Sequence, residues 1–319
     1  MKKVGIIGGS GYTGGELIRL VLHHPALALD FIYSTTRPGT PLHDTHVDLL
    51  GTEIPDFTDQ INPAVDVVFL CVGHGKSAGF LKENKFSEAT IIIDLSNDFR
   101  LKNDASFQGY NFVYGLPELQ RETIEKATAI ANPGCFATAI QLALLPLVRK
   151  GMITNPVHIN ATTGSTGAGV GLSASSHFSW RNNNLSWYKP FTHQHLGEIG
   201  ETLDNPKLYF LPQRGDFTRG IFASCYTFFD GNLEDAKTIY KDFYKSHPFT
   251  HVSENEVALK QVINTNNCAI HLHQFEDQLL ITSVIDNLIK GASGQAIQNL
   301  NLIMGWEEDL GLRLKASIF

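Results

Sequence analysis

The chain has 319 residues, 43% of them hydrophobic and 18% charged. This is globular composition, which excludes a disordered chain, and at roughly 100–200 residues per domain it implies two domains. Lys and Arg total 25 against 32 Asp and Glu, and the net charge of −7 argues against a nucleic-acid partner.

No apolar run approaches the roughly 18–20 residues of a spanning helix, so no membrane partner is expected. Met1-Lys2-Lys3 runs directly into apolar residues and lacks the form of a signal peptide. The cysteines Cys71, Cys135, Cys225 and Cys268 are far apart and form no C-x-x-C pair. Reduced thiols and a cytoplasmic location are therefore expected.

The elements begin with a buried parallel strand at Lys3–Ile7, a glycine-rich turn and a helix over Glu16–Leu22 that His24-Pro25 stops. Further strands are predicted at Leu27–Tyr33, Val65–Val72, Thr90–Leu95 and Ala127–Ala131. Their alternation with helical segments predicts a Rossmann-type doubly wound parallel sheet. A helix follows over Phe136–Lys150. Strand-like alternations then recur at Val157–Thr163, Leu208–Leu211, Phe222–Phe229, Ala269–Gln274 and Leu279–Val284. Antiparallel strands with a few helices suggest an α+β domain there, with Ser173–Thr192 a polar loop. Gly294–Met304 reads as an amphipathic helix. The expected division is 1–132, completed by a C-terminal helix in 292–319, and a second domain over 133–291.

The turn Gly8-Gly9-Ser10-Gly11-Tyr12-Thr13-Gly14 lies between strand and helix, where a dinucleotide pyrophosphate meets backbone N–H groups. Its spacing departs from G-x-G-x-x-G, and a tight structural turn is the competing reading. An acidic residue at the end of the second strand would select NAD. That end carries Tyr33, Ser34, Thr35, Thr36 and Arg37, while Asp30 lies too early. Hydroxyls and a guanidinium suit a 2′-phosphate, so NADP(H) is the expected cofactor, although Arg37 also reads as a solvated loop residue.

Asn132-Pro133-Gly134-Cys135 places a thiol at the start of a helix, where N–H groups favour thiolate and hence a nucleophile. The other cysteines lie in apolar strand patterns and read as core, which is the competing reading for Cys135 as well. Among 13 histidines, the pair in His193-Gln194-His195-Leu196-Gly197-Glu198 opens a helix after the polar loop and suits acid/base work. A metal site is the alternative, although H-x-H-x-x-E lacks an i, i+4 histidine pair. Cysteine, nicotinamide and acid/base group together suggest acyl-phosphate or aldehyde chemistry. Arg100 and Arg219 follow strands and could hold the anionic groups of such a substrate or form surface ion pairs.

The segments "GGSGYTGGELIRLVLHHP", "DLSNDFRL", "VYGLPEL", "ANPGCFATA", "HQHLGEI", "TRGI" and "IDNLIKGASGQAIQNLN" together resemble the N-acetyl-gamma-glutamyl-phosphate reductase family of arginine biosynthesis. The resemblance spans nearly the whole chain. It implies a Rossmann domain and an α+β catalytic domain of glyceraldehyde-3-phosphate-dehydrogenase-like layout. It also implies NADPH-dependent reduction of an N-acylated glutamyl 5-phosphate to its semialdehyde. By this resemblance Cys135 is the nucleophile and His193, or else His195, the acid/base. Asn287 and Gly291 fall near the nicotinamide, and Arg100 and Arg219 hold the substrate. "TTGSTGAG" is the loop bordering the site. Gly73-His74-Gly75 and "SWYKPFT" depart from the family pattern. Sister reductases acting on succinylated, aminoadipyl or aspartyl phosphates, and a redox sensor oxidised at Cys135, are the competing functions. A homo-oligomer, dimer or tetramer, is expected.

Overall fold

Two units make up the chain, and a computed structural model describes residues 1–318 of it. The first unit is Met1–Pro133 with Ala292–Arg313. The second is Gly134–Gly291, joined by residues 314–318.

In the first unit the chain runs β1 (Lys2–Ile7), α1 (Tyr12–Leu22), β2 (Leu27–Tyr33), β3 (Phe57–Thr58), β4 (Val67–Leu70), α2 (Ser77–Glu83), β5 (Ile91–Asp94), β6 (Ser106–Phe107), β7 (Tyr110–Tyr114), α3 (Pro117–Ile124) and β8 (Ala129–Ala131). The sheet order is β3-β2-β1-β4-β5-β8-β7-β6. All its pairings are parallel except the β6–β7 hairpin at one edge. Every side chain of β4 is buried, as a parallel strand covered on both faces requires.

The second unit comprises α4 (Cys135–Arg149), β9 (Val157–Thr163), α5 (Phe178–Arg181), β10 (Ser186–Trp187), α6 (His195–Thr202), β11 (Leu208–Arg214), β12 (Ile221–Phe228), α7 (Leu233–Tyr244), β13 (Thr250–Ser253), β14 (Cys268–Phe275) and β15 (Gln278–Ile285). Its sheet runs β10-β11-β9-β12-β15-β14-β13. It is mixed rather than antiparallel throughout, because β9–β11 and β13–β14 run parallel. Alternate residues of β12 are buried, so one face packs on helices and the other stays open. The segment expected to be a loop over 173–192 carries α5 and β10, the latter held antiparallel to β11 by Ser186 and Trp187.

α8 (Gly294–Ile303) returns to the first unit where the helix Gly294–Met304 was expected, and ends inside the wider span 292–319. Gly305, at φ +65°, ends it: its N–H bonds Leu302 and that of Trp306 bonds Asn301, so both stranded carbonyls are satisfied. The helix is not amphipathic in its setting. Gln295, Gln298, Asn299 and Asn301 are all buried. Asn299 bonds the Gly115 carbonyl and the Asn132 side chain, and Asn301 bonds His24 and two further carbonyls.

α4 contains Pro146, which has no N–H to give the carbonyl of Leu142 one turn earlier. Tyr244 of α7 supplies the missing donor, its hydroxyl lying 2.6 Å from the Leu142 oxygen. Tyr240 bonds the neighbouring Ala143 carbonyl, which already has a helical partner. Tyr244→Phe should therefore cost about 1–3 kcal/mol, against about 1 kcal/mol for Tyr240→Phe. In a Pro146→Ala background the Tyr244→Phe cost should shrink, and denaturant unfolding of the double-mutant cycle measures it. Equal costs in both backgrounds would remove the compensation.

Candidate active site

The order of the first sheet reverses between β1 and β4, and ligands of such sheets bind beyond the carboxyl ends of the strands at that point. The glycine turn follows β1 there. Gly8 sits at φ +80°, and a Cβ on it would stand 2.6 Å from the Cys71 carbonyl oxygen. A Cβ on Gly14 would stand 2.7 Å from Gly9 Cα, so helix and turn close together only through two glycines. Gly11 is different: nothing lies nearer its Cβ position than the Gly8 oxygen at 3.8 Å. That open side, at the N-terminus of α1, fits a dinucleotide pyrophosphate. Tyr12 is exposed beside it, Ser10 and Thr13 are half-buried, and the Thr13 carbonyl accepts the Ser293 hydroxyl.

At the end of β2, the Ser34 and Thr36 hydroxyls lie 3.3 Å apart, and Thr35 and Arg37 are exposed. Asp30 is engaged by Lys3 at 3.1 Å and Asn62 at 2.7 Å, away from that end. The residues present fit a 2′-phosphate better than a bare ribose.

At the end of β5, the buried carboxylate of Asp94 accepts the hydroxyls of Ser77 and Ser96 and the N–H of Ser96. Burial pushes it up to about 6, against these hydrogen bonds and the nearby Arg100 charge. Arg100 is buried, its Nε 2.9 Å from the Asn132 carbonyl and an Nη 3.1 Å from that of Leu95, so it ties two strand ends together. Cys71, after β4, is also raised, by burial first and then by Asp94.

In the second unit, Cys135 is the first residue of α4 and is half-buried, while Cys225 and Cys268 are buried in the core. A Cβ on Gly291 would stand 2.8 Å from Cys135 Cβ, so this glycine sits directly against the thiol's carbon. Glu198, buried on α6, accepts the Gly134 N–H at 3.1 Å and faces His195 Nε2 at 3.9 Å. His193 and His195 are both buried, with ring centroids 4.6 Å apart. The N–H of His195 donates to His193 Nδ1 at 3.2 Å, so a neutral His193 carries its proton on Nε2. Phe136, Phe210 and Tyr188 pack around His193 at 5.5–5.7 Å between rings. Among the described residues no cluster of three His, Cys, Asp or Glu is placed to hold a metal.

Arg219 does not stand alone. It forms a two-pronged ion pair with the fully buried Asp286, at 3.1 and 3.2 Å. Asp286 also takes the N–H groups of Asn264, Leu288 and Ile289, and so fixes the turn that leads to Gly291. Asn287 accepts the Gly220 N–H and donates to Thr166, pinning the glycine-rich loop after β9. Sequence reading missed Asp286, the positioning role of Glu198, and Tyr188. For Glu198 the signal was its spacing from His195. For Tyr188 it lay in "SWYKPFT", discounted there as a departure.

The semialdehyde dehydrogenase NAD binding domain matches residues 3–127, and the semialdehyde dehydrogenase dimerisation domain matches residues 135–287. An N-acetyl-gamma-glutamyl-phosphate reductase from Flavobacterium johnsoniae is 60% identical over the full length of both chains. One of the same name from Christiangramia forsetii is 56% identical, again over the full length of both. Among solved structures, an aspartate semialdehyde dehydrogenase II of Vibrio cholerae shares the fold with a TM-score of 0.74 at 14% identity. That match covers 96% of this chain and 98% of the other.

The raised Asp94 value sets a sign. A group with its folded value above the ordinary 3.8 stabilises the fold fully below 3.8 and loses that contribution as pH rises through about 6. Wild type should therefore gain about 1 kcal/mol on Asp94→Asn between pH 8 and pH 5. Denaturant unfolding at the two pH values checks it, and a constant difference would contradict a buried titrating carboxyl.

Proposed function

The chain belongs to the N-acetyl-gamma-glutamyl-phosphate reductase family, and from that membership we propose how its residues perform reductive dephosphorylation. It is an oxidoreductase of arginine biosynthesis that converts N-acetyl-glutamyl 5-phosphate to the 5-semialdehyde and phosphate. Cys135 is the nucleophile: its sulfur attacks the acyl carbon and phosphate leaves, which gives a thioester on the protein. When bound, NADPH supplies the hydride that reduces this acyl group. Collapse of the resulting sulfur adduct returns the thiolate and frees the aldehyde.

The observation that supports this reading best is the His195 N–H on His193 Nδ1, which turns a proton-bearing Nε2 into the donor of the pair. His193 donates that hydrogen to the substrate's oxygen, and His195 with Glu198 holds the ring in place. Arg219, oriented by Asp286, and Arg100, oriented by backbone carbonyls, are the proposed donors to the substrate's anionic groups, each within its own unit.

NADP(H) is the proposed cofactor. Gly8, Gly11 and the N–H groups of Ser10, Tyr12 and Thr13 hold the pyrophosphate, and Ser34, Thr35 and Arg37 the 2′-phosphate. Asn287 and Gly291 border the nicotinamide side of the nucleophile. A second copy of the chain covers the open face of the second sheet, where His158 stacks between Tyr209 and Tyr226. No described helix is long and apolar enough to cross a membrane, and the four free cysteines fit action in the cytoplasm.

In the reverse direction, N-acetyl-glutamate semialdehyde and phosphate should reduce NADP⁺, followed by absorbance. N-succinyl-glutamate and aspartate semialdehydes should give much less. Cys135→Ser should abolish this turnover while NADPH still binds; loss of both together would make the cysteine structural. Arg37→Ala should raise the KM for NADPH about 10–100-fold and leave that for NADH unchanged, since it removes one charge-assisted contact. Equal changes for both cofactors would take the 2′-phosphate away from Arg37.

A further inference from the structure

Two arginines of the second unit, Arg214 against the Tyr188 ring and Arg181 behind it, belong to no ion pair, and Tyr188 itself lies within electrostatic reach of Cys135. Arg214 ends β11 and lays its guanidinium over the Tyr188 ring, with Cζ 4.6 Å from the centroid. Tyr188 in turn faces His193, ring to ring, at 5.7 Å. Arg181, the last residue of α5, is 5% exposed and packs from behind. One of its Nη groups donates to the Arg214 carbonyl at 2.7 Å and the other to the Ser186 hydroxyl at 3.0 Å. Ser186 is itself the β10 partner of Arg214, so the carbonyl and the strand register fix where the Arg214 side chain starts.

Both Nε atoms are buried without a hydrogen-bond partner. Among the described residues no carboxylate comes within 4.0 Å of either guanidinium. Asp216 acts on Arg181 only from farther off, and burial together with the Arg214 charge holds Arg181 below the ordinary arginine range. Two adjacent cations with idle buried donors cost stability, and proteins keep such groups where a ligand completes them. A guanidinium matches an oxyanion through paired N–H donors.

We propose that Arg214, supported by Arg181 and laid on Tyr188, is an oxyanion-binding subsite beside Cys135 that takes one anionic end of the substrate. That end is the departing phosphate or the carboxylate of the acyl chain, which share this chemistry. Arg214 touches the ligand, and Arg181 is a positioning residue. The ring of Tyr188 covers one face of the guanidinium and Tyr188 also accepts a side-chain hydrogen bond from it, which leaves its remaining in-plane donors for a ligand. The proposal rests on the reading of the chain as an acyl-phosphate reductase.

Reverse turnover separates the two ends, because semialdehyde and phosphate are then different substrates. Wild-type turnover itself tests the underlying reading, and its failure would be seen before any variant is made. In Arg214→Gln one of the two KM values should rise about 10–100-fold while the KM for NADP⁺ stays within twofold. A rise for inorganic phosphate alone assigns the phosphate end, and a rise for the semialdehyde alone the carboxylate end. Arg214→Lys should restore part of the loss, and Arg181→Gln should raise the same KM less. A readout independent of turnover is alkylation of Cys135 by iodoacetamide. Inorganic phosphate or N-acetylglutamate should slow it in wild type and not in Arg214→Gln. If both KM values hold while kcat or Tm falls, or if protection is equal in the two proteins, Arg214 only props Tyr188 and the proposal fails.

Discussion

Everything in the second unit's site depends on where α4 starts. Cys135 occupies its first position, and the space behind the thiol's carbon is just large enough for a residue with no Cβ. Gly291 fills that space, and its position is set by Asp286, which binds the backbone of the turn leading to it and pairs with Arg219. On the other side, Glu198 takes the N–H of Gly134. A helix N-terminus with one donor consumed by a fixed carboxylate has little freedom to shift. The same carboxylate faces His195, so the start of the helix that carries Cys135 and the histidine pair share one buried anchor.

That arrangement explains why buried polar groups are so frequent in this chain. Asp94, Glu198 and Asp286 are each nearly or fully buried, and each holds backbone N–H groups or hydroxyls at the end of an element. A buried carboxylate is costly unless its oxygens are filled, and these are filled by the loops that carry functional residues. Pro146 belongs to the same economy of donors, with Tyr244 replacing the N–H it lacks.

Much of the architecture was legible because parallel strands and their glycine turn have strong signatures. β2 and β9 begin and end where alternation and apolar runs place them. Cys135 was legible from Pro-Gly before it and apolar helical spacing after it. Short pieces were not: β3, β6 and β10 have two residues each, too few to show a period. The parallel pairings of β9 with β11 and β13 with β14 were hidden because alternation is the same in either direction. α8 looked amphipathic because its amides are polar, yet they are buried against backbone carbonyls that no sequence pattern displays. Arg219 was legible as a cation after a strand, whereas its partner Asp286 lies 67 residues on.

The net charge of −7 argues against a broad anion-binding surface, yet the cofactor and the substrate of this family are both anionic. The charge distribution resolves the contrast. Cations elsewhere on the surface, such as Lys2, Lys241 and Arg313, are paired with carboxylates and contribute little outward field. Arg37, at the end of β2, and Arg181 and Arg214, at Tyr188, lack such partners among the described residues. On an acidic background, guanidiniums without a carboxylate partner give local positive potential, which favours a small anion over polyanions at large. In the proposed site, a small acyl phosphate would be recognised where ion pairs are missing as much as by the contacts that are made.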